Sequence, residues 1–386
     1  MTTEEIAYLI RGYVSGDIPD YQVSALAMAI YYKGMSIREI HDLTTEMVSS
    51  GDQYDLSSIE GVKVYKHSTG GVEDKVTIIL MPLVVSFGVP VAKMSGRGLA
   101  HTGGTIDKLE SIKGYQVERK LVISLIEQSE HLVKADKLLY ALRDVTATVD
   151  SIPLIAGSVM SKKIAAGDKI LLDVTVGQGA FMKSLEEAEH LSETMVSLGR
   201  EVGRETIAVI TDMSQPLGRA IGNCLEIFEA IEIMQGKGRA DITEFICELA
   251  EIILNLTGVE SSSDKIRQHL VEGVALSKFE ELIEAQGGDL DDLYRKSAAA
   301  YVTEVLADEE SYISELPALA FGKYAMKLGA GRTTKADTLN YETGIVFEKK
   351  VDDSATVSET VDNIYSDPAL IEELIDESKA YITNQQ

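Results

Sequence analysis

The chain has 386 residues, 45 % of them hydrophobic, and a formal net charge of −26. That length allows two or three domains with full apolar cores. The acidity disfavours non-specific attraction to nucleic acid or anionic lipid, so any phosphate ligand must be met by positive charge concentrated locally.

The first elements in chain order read as helices. Thr2 and Glu5 form a capping box ahead of an i, i+3, i+4, i+7 pattern at Ile6, Leu9, Ile10 and Tyr13. Gly16-Asp17-Ile18-Pro19-Asp20 breaks this helix, and Asp20 is placed to cap a second one running to Ile30. Ser36 with Glu39 starts a third, which Gly51 is placed to stop. From residue 61 short β-rich runs (61–65, 89–94, 170–176 and 206–211) are each followed by a helical pattern. That alternation predicts an α/β layer with a largely parallel sheet. Residues 136–166 revert to helical texture, so a helical domain is expected from residues 1–52 and 136–166 together. The α/β domain then takes residues 53–135 and 167–290, with amphipathic helices at 217–234 and 242–256. Residues 291–386, acidic and strand-like at 343–351, read as a C-terminal α+β domain. Cys224 and Cys247 follow no ligand or disulfide spacing, which suits a reducing cytoplasm. The acidic start Met1-Thr2-Thr3-Glu4-Glu5 is not a secretory signal, and no apolar run approaches about 18 residues.

Two glycine- and hydroxyl-rich loops carry the chemistry. Lys66-His67-Ser68-Thr69-Gly70-Gly71-Val72-Glu73-Asp74-Lys75-Val76-Thr77 follows the first predicted strand, and Lys93-Met94-Ser95-Gly96-Arg97-Gly98-Leu99-Ala100-His101-Thr102-Gly103-Gly104-Thr105 runs on from the second. Either alone reads as a tight turn. In an α/β sheet both converge on one edge and offer Lys66, Ser68, Thr77, Ser95 and Thr105 as donors to one anion. Neither is a P-loop or a dinucleotide fingerprint. The remaining histidines (His41, His101, His131, His190, His269) show no metal-ligand spacing.

Residues 66–74 and 89–111 resemble the signature stretches of the pyrimidine-nucleoside and thymidine phosphorylase family. The likeness extends from Gly12-Tyr13 and residues 16–22 to Leu328-Gly329-Ala330-Gly331-Arg332 and Gly344-Ile345. It implies a helical domain plus a larger α/β domain with a mixed sheet, and phosphorolysis of a pyrimidine nucleoside to free base and (deoxy)ribose 1-phosphate. Carried over residue by residue, the phosphate ligands are Lys66, Ser68, Thr77, Ser95 and Thr105. The base ligands are Leu99, Tyr140, Arg143, Ser158 and Lys162, with His67, Arg143 and Lys162 as the catalytic set. The chemistry suits these types, because Arg143 and Lys162 are cations for charge building on a departing pyrimidine and His67 is a donor to a base carbonyl. The resemblance also implies a homodimer formed through the helical domain and no organic cofactor. It further implies a monovalent cation such as K⁺ at Leu217, Ala220 and Glu229, a place that the ammonium of Lys75 is able to take.

Departures from the family gather on the phosphate side. Glu73 and Ala100 replace glycines, Thr175 a lysine and Gln178 a serine, and the segment between Val117 and Gln128 is shortened. A carboxylate at Glu73, roughly 6 Å from a phosphate charge at an effective dielectric of about 20, costs on the order of 3 kcal/mol. Lys75 is a counterweight through Glu73 or Glu229. Two functional readings stand: an active phosphorylase, and a homologue without catalysis that still binds a pyrimidine nucleoside or serves a structural role. A phosphoribosyltransferase of related fold is disfavoured by the match of residues 140–162.

Overall fold

The computed structural model describes residues 1–51, 56–72, 75–95, 98, 104–116, 124–127, 133–164, 167–295, 301–332, 337–366, 375, 379 and 382–384. The chain opens with α1 (Thr3–Ser15), α2 (Asp20–Lys33) and α3 (Ile37–Ser49). The expected capping boxes form at Thr2 with Glu5 and at Ser36 with Glu39. Asp20 differs from expectation: it is the first residue of α2 after Pro19, and its carboxylate accepts from the Tyr13 hydroxyl at 3.1 Å instead of capping the helix. α3 ends at Ser49, with Ser50 rather than Gly51 at the cap.

The α/β portion follows as β1 (Val64–Ser68), α4 (Val76–Val85), β2 (Ala92–Ser95), α5 (Thr105–Glu110) and β3 (Ser124–Glu127). After α6 (Lys134–Val145) and α7 (Ile152–Ile164) it resumes with β4 (Lys169–Val176), α8 (Leu185–Glu201), β5 (Glu205–Asp212), β6 (Ala220–Ile221) and α9 (Asn223–Met234). α10 (Ala240–Thr257), α11 (Ser263–Val271), α12 (Val274–Ala285) and α13 (Leu290–Arg295) complete it. β1, β4 and β5 pair in parallel in that order, β2 pairs in parallel with β3, and a Val64–Val91 bridge sets β2 beside β1. The C-terminal α+β portion holds β7 (Val302–Leu306), β8 (Ser311–Ile313), α14 (Ala318–Lys327), β9 (Gly344–Phe347), β10 (Ser354–Ala355), β11 (Thr360–Tyr365) and β12 (Ile382–Asn384). Its antiparallel sheet runs β6-β9-β11-β7, so one strand from the α/β portion is shared with it and the strands as a whole are of mixed sense.

The helix expected from residue 217 begins at Asn223 instead. Gly218 and Gly222 sit at φ of +74° and +133°, which open a turn and a short strand where the apolar pattern alone continues a helix. α4 is apolar on every face and is buried through Val84, as a central helix must be. It packs with α9, α10 and α12 into the largest core. Ile6, Ile10, Leu43 and Met47 share a second core with Ala135, Leu139, Leu142 and Leu154, so the first three helices and α6–α7 pack together although β1 to β3 lie between them in sequence. Cys224 and Cys247 are buried free thiols. Among the described residues no helix is long and apolar enough to cross a membrane.

Candidate active site

Side chains alternate along a strand, so Lys66 and Ser68 of β1 face one way while Tyr65 and His67 face the other. The sequence pattern ends this strand at residue 65 and leaves Lys66, His67 and Ser68 in a loop. Instead they pair in register with Leu171, Leu172 and Asp173 of β4, because continued pairing satisfies backbone groups that a buried loop leaves open. The Lys66 ammonium, 2 % exposed, lies 2.9 Å from Asp173 Oδ2, and Asp173 Oδ1 accepts from Thr211 at 2.6 Å. Beyond β1 the loop is pinned to β4: the Thr69 and Thr175 hydroxyls are 3.1 Å apart, and Thr175 also donates to the Gly70 carbonyl.

The second loop starts where β2 ends. Ser95 is buried, and its hydroxyl has no partner among the described residues, which leaves a polar atom for a ligand. Lys93, two residues earlier, donates to Thr77 Oγ1 at the start of α4. Thr105 is buried in the first turn of α5. The Asp107 carboxylate holds the Gly98 amide and, at 2.8 Å, Arg332, which ties the 328–332 motif to this loop. Leu99, Glu73 and Ala100 lie outside the described residues.

On the other side of β1 stands α7. Ser158 and Lys162 share a helical face: Lys162 Nζ is 3.2 Å from Ser158 Oγ, 2.7 Å from Asp136 Oδ2 and 5.7 Å from the centre of the Tyr140 ring. Tyr140 is exposed, so it is not core packing. Arg143 is buried, and its guanidinium donates to the carbonyls of Thr148 (3.1 Å), Leu154 (3.2 Å) and Val149. It therefore closes the α6–α7 turn, and only its N–H groups beyond these three bonds remain for a base. Lys163 lies 5.1 Å from the centre of the Tyr65 ring. Two cavities flank the first loop. One of about 300 Å³ is lined by Ser68, Val76, Asp173 and Thr211. The other, about 360 Å³, is lined by Gly71, Asp150, Ile152 and Gln178 and so lies between the first loop and the start of α7.

These elements converge on His67. Burial, then the charges of Lys163, Lys93, Lys162 and Lys66, hold its imidazole well below the usual 6.5, so at neutral pH it acts as a neutral donor or acceptor. Lys163 is held well below 10.5, first by burial and then by Lys162 and Lys93. Sequence reading missed Asp173, Asp136 and Lys163, and it placed Lys93 in the second loop without a role. Only the Lys162-Lys163 doublet offered a signal, since the carboxylates lie on elements distant in sequence.

A lysine whose folded pKa is depressed costs stability at neutral pH, because the folded chain holds its proton less tightly than the unfolded chain does; the penalty is absent above about 10.4. Lys163→Met is thus expected to raise stability at pH 7 by about 1–2 kcal/mol, with a loss of turnover of at least about tenfold. Denaturant midpoints at pH 7 check the first part, and a lowered midpoint contradicts it.

The cation set expected at Leu217, Ala220 and Glu229 is taken. Lys75 Nζ donates to the Leu217 carbonyl at 3.0 Å, the Ala220 carbonyl at 2.8 Å and Glu229 Oε2 at 2.5 Å, and its side chain is fully buried. Burial pushes the Glu229 carboxyl up, but the Lys75 charge and the amides of Ala220 and Arg219 outweigh it, and its pKa lies below the usual value. All three oxygens are thus hydrogen-bonded to one ammonium of this chain.

Residues 60–285 match the glycosyl transferase family, a/b domain, residues 1–51 its helical bundle domain, and residues 312–385 the pyrimidine nucleoside phosphorylase C-terminal domain. A pyrimidine-nucleoside phosphorylase of Geobacillus stearothermophilus is 52 % identical over 97 % of this chain and 90 % of its own length. One of Bacillus subtilis (strain 168) is 52 % identical over 97 % and 91 %, and one of Staphylococcus aureus (strain USA300) 51 % over 99 % and 93 %. In fold, an anthranilate phosphoribosyltransferase from Thermus thermophilus superposes with a TM-score of 0.59 over 74 % of this chain and 95 % of its own, at 16 % identity.

Proposed function

The chain belongs to the pyrimidine-nucleoside phosphorylase family, and from that premise we propose that it catalyses the phosphorolysis of pyrimidine nucleosides. The observation that carries this reading is the gathering of Lys66, Lys93, Lys162 and Lys163 around His67 in a chain of net charge −26. Such a focus of positive charge suits a reaction whose two partners are an anion and a leaving group that becomes one.

In this mechanism Lys66, Ser68, Thr77, Ser95 and Thr105 hold phosphate on one side of the nucleoside, while Tyr140, Arg143, Ser158 and Lys162, with Leu99, hold the base on the other. A phosphate oxygen forms a bond to C1′ as the C1′–N1 bond breaks, and the bonding pair passes to the pyrimidine ring. Lys162 meets that charge, and His67 donates to a base carbonyl as a neutral imidazole. The base then takes its proton from solvent. Orientation does most of the work, since phosphate is already nucleophilic. The reaction needs no organic cofactor. We place it in a reducing cytoplasm, where Cys224 and Cys247 stay thiols. We pair the molecule as a homodimer through the helical segment, whose Tyr8, Tyr21 and Tyr32 are exposed.

The test is release of uracil and thymine from uridine, deoxyuridine and thymidine with and without inorganic phosphate. Release strictly dependent on phosphate, with the pentose recovered as its 1-phosphate, is the expected result. Binding of nucleoside without turnover at any phosphate concentration replaces it with a non-catalytic role.

A further inference from the structure

We propose that Lys75 is a built-in monovalent cation, so that the protein neither needs nor binds K⁺ at the 217–229 segment. Lys75 immediately precedes α4, a position where positive charge is unfavourable against the helix dipole. It is tolerated because the side chain turns into a cage of three oxygens: two backbone carbonyls and a carboxylate. An ammonium has three N–H donors, and each finds an acceptor here. A desolvated alkali cation wants the same hard oxygen donors.

The surroundings are built for the pair. The Glu229 carboxylate also accepts from the amides of Arg219 at 2.7 Å and Ala220 at 2.8 Å. A Cβ at Gly218 stands 2.6 Å from Glu229 Oε1, so the turn wraps the carboxylate only because residue 218 is glycine. A second buried ammonium saturates the rest of the turn: Lys350, from the C-terminal portion, donates to the carbonyls of Pro216 and, at 2.8 Å, Gly218. The carbonyls of residues 216, 217, 218 and 220 are thus bound by two lysines from segments distant in sequence. One helical turn away on α9, Glu226 is met by the buried Lys108 at 3.3 Å. Because Lys75 closes the segment that begins at Lys66, its tether joins the phosphate loop to α9 permanently, whereas a dissociable ion does so only when bound.

The inference does not rest on the assigned substrate, since its first readout is stability. Thermal midpoints of the full chain are measured against K⁺ at constant ionic strength, with choline as the replacing cation, for the wild type, Lys75→Thr and Lys75→Met. The wild type is expected to show a flat midpoint and, where the phosphorolysis assay gives a rate, one unchanged by K⁺ within about twofold. Lys75→Thr, which puts a hydroxyl oxygen near the ammonium's place, is expected to be less stable in choline and to recover as K⁺ rises, to saturation. Lys75→Met fills the same space without charge and is expected to be destabilised with no recovery. A wild-type midpoint that climbs with K⁺ overturns the proposal, as does a Lys75→Thr protein that folds and ignores K⁺. Should Lys75→Thr not fold, the wild-type titration decides alone, and thallium-205 resonance of wild type in K⁺-free buffer gives a second reading: a bound Tl⁺ signal overturns the proposal, and its absence supports it.

Discussion

Lys66→Met is expected to lower the rate of phosphorolysis by about three decades and to destabilise the fold by roughly 3–5 kcal/mol. Both effects follow from one geometry. The Lys66 ammonium and the Asp173 carboxylate are almost wholly buried at 2.9 Å from each other, and the other oxygen of that carboxylate is held by Thr211. Removing the lysine leaves a negative charge in the interior beside the place proposed for phosphate. It also removes the cation that the strand aims along the same face as Ser68. The two effects separate in a double variant. Asn at 173 keeps an oxygen for Thr211 but carries no charge, so Lys66→Met/Asp173→Asn is expected to recover most of the stability and none of the turnover. Stability is read from denaturant midpoints and turnover from base release. A double variant that regains its rate shows that Lys66 serves only Asp173, and the phosphate assignment then falls.

Lys162→Met is expected to lower kcat by about 10²–10³ while the KM for phosphate changes little. Its ammonium is held by Ser158 and Asp136 beside the Tyr140 ring, on the opposite side of β1 from Lys66. If its charge meets negative charge on the departing ring, its value depends on how much help that ring needs. A 5-fluoro pyrimidine forms a more stable anion, so the loss caused by Lys162→Met should shrink on the fluorinated nucleoside. An equal loss on both substrates assigns Lys162 to neutralising Asp136, which is buried and has one carboxylate oxygen without a partner among the described residues. Lys162→Arg keeps the charge but not the compact ammonium shape, and it is expected to fall between the two.

Much of this arrangement is legible in the chain. Capping boxes at Thr2 and Ser36 are local, four-residue events, and they form where the residue types place them. The strands of the parallel layer stand out because apolar runs alternate with helical periods, although β1 extends past its predicted end. Lysines and hydroxyls mark the two loops as candidates for an anion site. What stays hidden is everything decided by register between distant segments. Nothing near Lys66 names Asp173 as its partner; only the parallel pairing of β1 with β4 does so. Lys162 finds Asp136 only when α6 folds against α7. The start of the helix at 217 is misplaced because periodicity sees side chains, while the decision lies with left-handed glycines at 218 and 222. Arg143 has the right charge for a substrate ligand, yet its use in closing a turn depends on carbonyl directions that no residue type reveals.

Tyr65 has a consequence for how such a protein can change over evolutionary time. Its hydroxyl donates to the Met94 carbonyl at 2.7 Å and accepts from the Met94 amide at 3.0 Å, so one side-chain atom satisfies both polar groups of a residue on the neighbouring strand. Its ring meanwhile forms the floor beneath Lys163. Phenylalanine keeps the floor and loses the strap, whereas a shorter hydroxyl loses both reach and floor. Position 65 is therefore as intolerant of drift as a substrate ligand, although the residue is wholly buried behind the site. Invariance there would record the spacing of two strands, not a step of the reaction.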